Sequence, residues 1–151
     1  MSIEDRLKEM NITLPKAAAP AANYVPFVKS GDYLYVSGQI PMGASGLEYI
    51  GKLGENTSVE DGQAAAKLCA LNILAQAKSA LGELENIKQL VKLVGFVNSA
   101  PDFVDQPKVI NGASDFMVEV MGDKGRHARS AIGVAALPFG VAVEIEAIFE
   151  I

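Results

Sequence analysis

The chain of 151 residues has one cysteine (Cys69), one histidine (His127) and no tryptophan. One copy therefore cannot form an internal disulfide or a Cys/His zinc site. Any Ser-His-Asp triad has to use His127. Positive charge is scarce: 13 Lys+Arg stand against 18 Asp+Glu, a net charge of −5. A phosphate backbone asks for a cationic face, so nucleic-acid binding is disfavoured as the main role. No apolar run approaches the ~18 residues of a membrane span. The opening Ser2-Ile3-Glu4-Asp5 is unlike the basic-then-apolar start of a signal peptide, and the expected location is the cytoplasm.

What is present is a globular composition, 50% hydrophobic and 21% charged. The length suits one domain over residues 1–151, with 1–22 as an N-terminal helix and linker extension. A chain of this size buries roughly 68–70% of its unfolded surface, enough for a core without staples.

Residues 2–10 read as a short amphipathic helix, with Ser2 as cap, Asp5 in the capping-box position, and Ile3, Leu7 and Met10 on one face. Residues 15–22, rich in Ala and Pro, read as a surface linker. Tyr33–Ser37 is the clearest strand, entered from the turn Ser30-Gly31-Asp32 and ended at Gly38. The weaker run Tyr24–Val28 pairs with it as a hairpin. Residues 42–57, with Gly43, Gly46, Gly51 and Gly54, read as a mobile loop. They match no phosphate-binding loop, and Lys52 lacks the Ser or Thr that such a loop needs beside it.

Ser58, with Asp61 as its box partner, opens a long helix that stops at Gly82. Its expected inner face is Ala64, Leu68, Leu71, Ala75 and Lys78, widened by Leu74 and Leu81. A β-rich stretch follows at Leu90–Val97. A second long helix spans about 105–121, with Asp102 or Asp105 at its start, Pro107 in its first turn and Gly122 at its end. Two strands, near 129–136 and 141–150, flank the turn Leu137-Pro138-Phe139-Gly140. This order predicts an α+β fold, a mixed sheet with two long helices on one face. The other face is left uncovered, which calls for an oligomer.

Arg129, Ala131, Gly133 and Ala135 share one face of the first late strand, with room for a ligand beside the arginine. Ser130, Ile132, Val134 and Ala136 form the face expected to be core. Arg129 is either a ligand-binding cation or a strand-end charge paired with an acid. On the last strand Val143, Ile145, Ala147, Phe149 and Ile151 are the apolar side. Glu144, Glu146 and Glu150 make either a solvated surface or, for Glu144 beside the turn, a carboxylate that acts on water. His127 is a general-base candidate with a structural alternative. Cys69, among Ala and Leu, reads as a small core residue. Asn111-Gly112, inside the second helix, reads as close helix packing or as room for a ligand near the Asn111 amide.

Val36-Ser37-Gly38-Gln39-Ile40-Pro41, Ala128-Arg129-Ser130, Ala136-Leu137-Pro138 and Val143-Glu144-Ile145-Glu146-Ala147-Ile148 together resemble the signature segments of the Rid family, also called the YjgF family. The resemblance runs from about Tyr24 onward. Val109–Asp115 with Gly125–Arg129 is similar to a divergent branch, labelled YjgF or chorismate-mutase-like "putative endoribonuclease".

The resemblance implies a chorismate-mutase-like fold and a homotrimer with three ligand clefts between subunits. It also implies cofactor-free, metal-free hydrolysis of reactive 2-imino acids to 2-keto acids and ammonia. Arg129 matches the arginine that binds the substrate carboxylate, and Glu144 the glutamate that positions water. Tyr24, Ser37, Gly38 and Asn111 match cleft-lining positions. The implied partners are a small 2-imino or 2-keto carboxylate and further copies of the chain, with no membrane. Three departures stand out. Ala131 replaces a Cys or Ser, Ala22-Asn23 a Gly-Pro, and His127 a Pro. The alternatives are a non-catalytic 2-keto-acid-binding module, an RNA-cleaving enzyme using the Arg126-His127-Arg129 cluster, and a chorismate mutase.

Overall fold

The computed structural model describes residues 1–19 and 22–151. Part of the expected linker, Pro20 and Ala21, lies outside them. In chain order the elements are α1 (Ile3–Glu9), β1 (Phe27–Ser30), β2 (Tyr33–Gln39), β3 (Met42–Gly43), β4 (Gly46–Leu47), α2 (Val59–Leu81), β5 (Gln89–Asn98), α3 (Gln106–Met121), β6 (Ala128–Val134) and β7 (Val143–Glu150).

Local chemistry accounts for most of the boundaries. In α1 the Asp5 N–H donates to Ser2 Oγ at 3.0 Å, and the Ser2 N–H donates to Asp5 Oδ2 at 3.3 Å, a complete capping box. This exposed Asp5 carboxyl is held below its ordinary pKa, chiefly by the Ser2 side-chain hydrogen bond. In α2 the Ser58 hydroxyl accepts from the Asp61 N–H at 3.1 Å. Gly82, at φ +80°, ends α2 in the left-handed region that favours glycine. Pro107 sits in the first turn of α3, where its missing N–H costs nothing. The hairpin strand begins at Phe27, three residues later than Tyr24, just after Pro26, which has no N–H for the ladder.

The main sheet has the order β1-β2-β7-β5-β6, all antiparallel except the parallel β5–β6 pair. α2 and α3 cover one face. Leu34, Leu93, Val97, Val143, Ile145 and Phe149 point into that layer and are fully buried. At about 25 cal/mol per Å2, such burial is the main stabilising contribution. The other face carries Val28, Tyr33, Tyr35 and Ile132, all exposed.

Three expectations are corrected. Ala64, Leu68 and Leu71 are only half-buried, and Lys78 is exposed. The inner side of α2 is instead Gly62, Ala66, Cys69, Ile73 and Ala77. Small residues let α2 approach the sheet and α3 closely, and a Cβ at Gly112 on α3 would collide with the Gln63 backbone of α2. The two faces of β6 are reversed: Ile132 and Ser130 face solvent, while Arg129, Ala131 and Gly133 face α3. A Cβ at Gly133 would meet Gln106 and Ser99, so only small residues fit there.

Residues 42–57 are not a loose loop. Leu53 is fully buried, and its N–H donates to the Asn98 carbonyl at 2.8 Å. Lys52 Nζ donates to Asn98 Oδ1 at 2.6 Å and to the Ala135 carbonyl.

Candidate functional site

The sequence-predicted site residues fall into two groups on opposite sides of the sheet. Tyr24, Ser37, Gly38 and Glu144 line one pocket of ≈ 290 Å3, together with Ile40, Met42 and Phe139 among others. Asn111 and Arg129 line another of ≈ 270 Å3, with Ser114, Val118, Arg126 and His127.

The first group sits where β2 meets the start of β7. The pairing of these strands is irregular between Val36 and Gln39, which turns Gly38 toward Glu144. An added Cβ at Gly38 would lie 2.9 Å from Glu144 Oε1, so glycine keeps the carboxylate's space open. Ser37 is fixed by its N–H to the Pro26 carbonyl (2.9 Å) and its hydroxyl to the Val25 carbonyl (3.0 Å). Glu144 is half-buried, and burial, followed by the neighbouring Glu146 charge, raises its pKa above the ordinary carboxylate value. A carboxylate with a raised pKa is a better proton acceptor near neutrality.

The second group sits at the β6 edge against α3. Arg129 pairs with Leu93 of β5 and points to the helix side. Its Nη1 donates to Ser114 Oγ at 3.1 Å and its Nη2 to the Pro107 carbonyl at 3.3 Å. These bonds aim the guanidinium along α3 into a pocket whose lining holds no carboxylate. His127 Nδ1 lies 2.5 Å from the Gly125 carbonyl, and Nε2 lies 2.9 Å from Ser114 Oγ. Burial, then the Arg129 charge, lowers the His127 pKa, against the opposing effect of the Gly125 hydrogen bond. Asn111 and Gly112 serve both readings at once: the glycine permits helix contact and the asparagine lines the pocket.

Within one copy β5 separates Arg129 from Glu144, and the two side chains leave opposite faces of the sheet. Cys69 is buried in α2 with its thiol donating to the Val143 carbonyl at 3.6 Å, and burial pushes its pKa well up. It is a core residue. Among the described residues no group of three His, Cys, Asp or Glu side chains could hold a metal ion, and no helix is long and apolar enough to cross a membrane.

Ser114 was not singled out from the sequence. A serine inside a helix carries no local signal, and its partners lie 13 and 15 positions away. The spacing that could have found it is His127, two residues before Arg129, facing a serine on α3.

Residues 4–148 match the family model described as "YjgF/chorismate_mutase-like, putative endoribonuclease". The chain belongs to the Rid, or YjgF, family. This Rid-family chain is 52% identical over 146 residues to Protein TCP17 of Trypanosoma cruzi, spanning 96% of this chain and 91% of that protein. It is similar in structure to protein Atu1372 of Agrobacterium tumefaciens, with a TM-score of 0.92, 54% identity, and coverage of 99% of this chain and 94% of that one. It is also similar to a Shewanella oneidensis protein described as a putative endoribonuclease. There the TM-score is 0.97 and the identity 36%, over 100% of both chains. The alignment across α1 in that last case gives the N-terminal helix a structural counterpart.

Proposed function

We propose that this chain hydrolyses reactive 2-imino acids to 2-keto acids and ammonia, in clefts that a homotrimer completes. The observation that carries the reading is the division of the candidate residues. An anion-binding half lies at the β6 edge and a carboxylate half lies beside β2 and β7 on the other side of the sheet. A second copy can bring the two halves together, and the exposed apolar face with Tyr33, Tyr35 and Ile132 offers the contact surface.

In this cleft Arg129 grips the substrate carboxylate through two parallel N–H donors. Asn111 closes the same side. Glu144 orients a water and takes one of its protons as the oxygen bonds to the imine carbon. The imine nitrogen collects protons, the C–N bond breaks, and ammonia leaves as the C=O forms. Tyr24, Ser37 and Gly38 shape the opposite wall. Water is the nucleophile, so the residues supply position and charge rather than covalent chemistry.

The test follows 2-iminobutanoate generated by a dehydratase, with wild type and Arg129→Ala side by side. Faster keto-acid formation with wild type alone supports the reading. No acceleration with either sinks it. A second reading, carboxylate binding without turnover, draws on Ala131, which offers no polar contact on the face of Arg129 where the family resemblance implies a Cys or Ser. It predicts saturable 2-keto-acid binding that Arg129→Ala removes. RNA cleavage has less support: the chain carries a net charge of −5, whereas a phosphate backbone asks for a cationic face.

A further inference from the structure

In the reading above Ser114 only helps to aim Arg129, yet its surroundings are those of an activated hydroxyl. A carbonyl can only accept, so the contact with the Gly125 oxygen at 2.5 Å places the ring proton of neutral His127 on Nδ1. Nε2 is then bare and accepts the Ser114 hydroxyl at 2.9 Å. Nucleophile, base and orienting group form one chain, the arrangement expected of an activated serine. Arg129 Nη1 approaches the same oxygen at 3.1 Å and stabilises negative charge on it. Burial, and after it the Arg129 charge, favour the neutral imidazole against the opposing effect of the Gly125 hydrogen bond. Ser114 is only half-buried, and its hydroxyl opens on the ≈ 270 Å3 pocket.

We propose that Ser114 is a nucleophilic centre that accepts the acyl group of small carboxylic esters, with His127 as its general base. Ser114 Oγ bonds to the ester carbonyl carbon while its proton passes to His127 Nε2. The resulting oxyanion faces Arg129 and the Asn111 amide on the pocket wall. As the C–O bond to the alcohol breaks, the alcohol takes the proton back from Nε2. Water then adds to the acyl-serine, again losing a proton to Nε2. Collapse of that second adduct returns the proton to Ser114 and releases the carboxylic acid. The pocket is close to the lower end of ordinary ligand-site volumes, roughly 300 Å3, which restricts the acyl group to a short one.

The inference shares Arg129 with the imine-hydrolysis reading but does not need it, because ester cleavage is read separately. The full chain is incubated with p-nitrophenyl acetate. Nitrophenolate release is followed and the acetyl group is located by peptide mass. The expected result is acetyl on Ser114, with release slowed about 100-fold in both Ser114→Ala and His127→Gln. Acetyl found only on lysines or the N-terminal amine overturns the proposal, as does unchanged release in both variants. Mapping on wild type is decisive even if a variant fails to fold.

Discussion

The two faces of the sheet are built from the same strands and end in opposite states. On the covered face Leu34, Leu93, Ile145 and Phe149 are sealed beneath α2 and α3. Gly95 there lets the Ile110 side chain come against the strand itself. On the open face Tyr33 and Tyr35 stay 42% and 45% exposed, and Tyr35 lines one shallow hollow with the charged Glu146 and Lys92. Burial on the first face is completed within one copy, while among the described residues no helix covers the second. The candidate chemistry is divided in the same way, with Arg129 on the covered side at an edge and Glu144 on the open side. Stability within one copy rests on one face, and the proposed assembly and ligand binding draw on both.

The comparison can be broken most severely on the covered face. Phe149→Ala removes a fully buried ring and is expected to cost about 3–5 kcal/mol, read as a fall in the urea midpoint with unchanged slope. At the covered edge, Arg129→Lys keeps the charge but not the planar fork. It is expected to cost about 1.5–3 kcal/mol, roughly one to two decades in kcat/KM for the imine, with the melting temperature held. On the open face, Tyr35→Asp is expected to shift sedimentation from the proposed trimer toward monomer while the circular dichroism of the fold persists. A Tyr35→Asp protein that remains trimeric would move the contact surface elsewhere.

The smallest effect sharpens the contrast through Glu144. Its folded pKa is raised, so the folded chain holds this proton more tightly than the unfolded chain. The stabilisation is full below the ordinary value of 4.5 and is lost as pH rises through the higher folded pKa. Glu144→Gln is therefore expected to melt slightly higher than wild type at neutral pH, with the advantage gone near pH 4, while imine hydrolysis is lost. A carboxylate kept ionised at some cost to stability is what a functional role predicts.

Helix ends were legible because they depend on neighbours in sequence: Ser2 with Asp5, Ser58 with Asp61, and the stops at Gly82 and Gly122. Strand identity on β7 was legible too, since Val143 to Phe149 alternate between buried apolar residues and the less buried Glu144, Glu146 and Ile148. What failed was the choice between two apolar sides. On β6, Ile132 looked like core and Ala131-Gly133 like the outside. Close packing of Gln106 and Ser99 demands small residues, and the open face carries apolar ones. On α2 the Ala-rich helix had no side polar enough to mark the outside. Glycines at 43–54 suggested looseness, but Leu53 anchors that segment from within. Arg129, Glu144 and Asn111 stand out as candidates by their places on strand and helix, and the family resemblance adds their roles; Tyr24, Ser37 and Gly38 rest on the resemblance alone. Ser114 could emerge only when α3 and β6 were seen side by side.

The order β1-β2-β7-β5-β6 also bears on how the chain is made. β7, the last strand among the described residues, is the third of five in space and links the β1–β2 hairpin to the β5–β6 pair. On the ribosome, a nascent chain that has not yet released residues through Glu150 holds two fragments of sheet with nothing between them. Their facing edges are unpaired backbone, the kind of edge that seeks a wrong partner. Closure of the sheet thus waits on β7 as a single event in translation, and a message interrupted before Val143 codes for a polypeptide that quality control should remove rather than a smaller working protein.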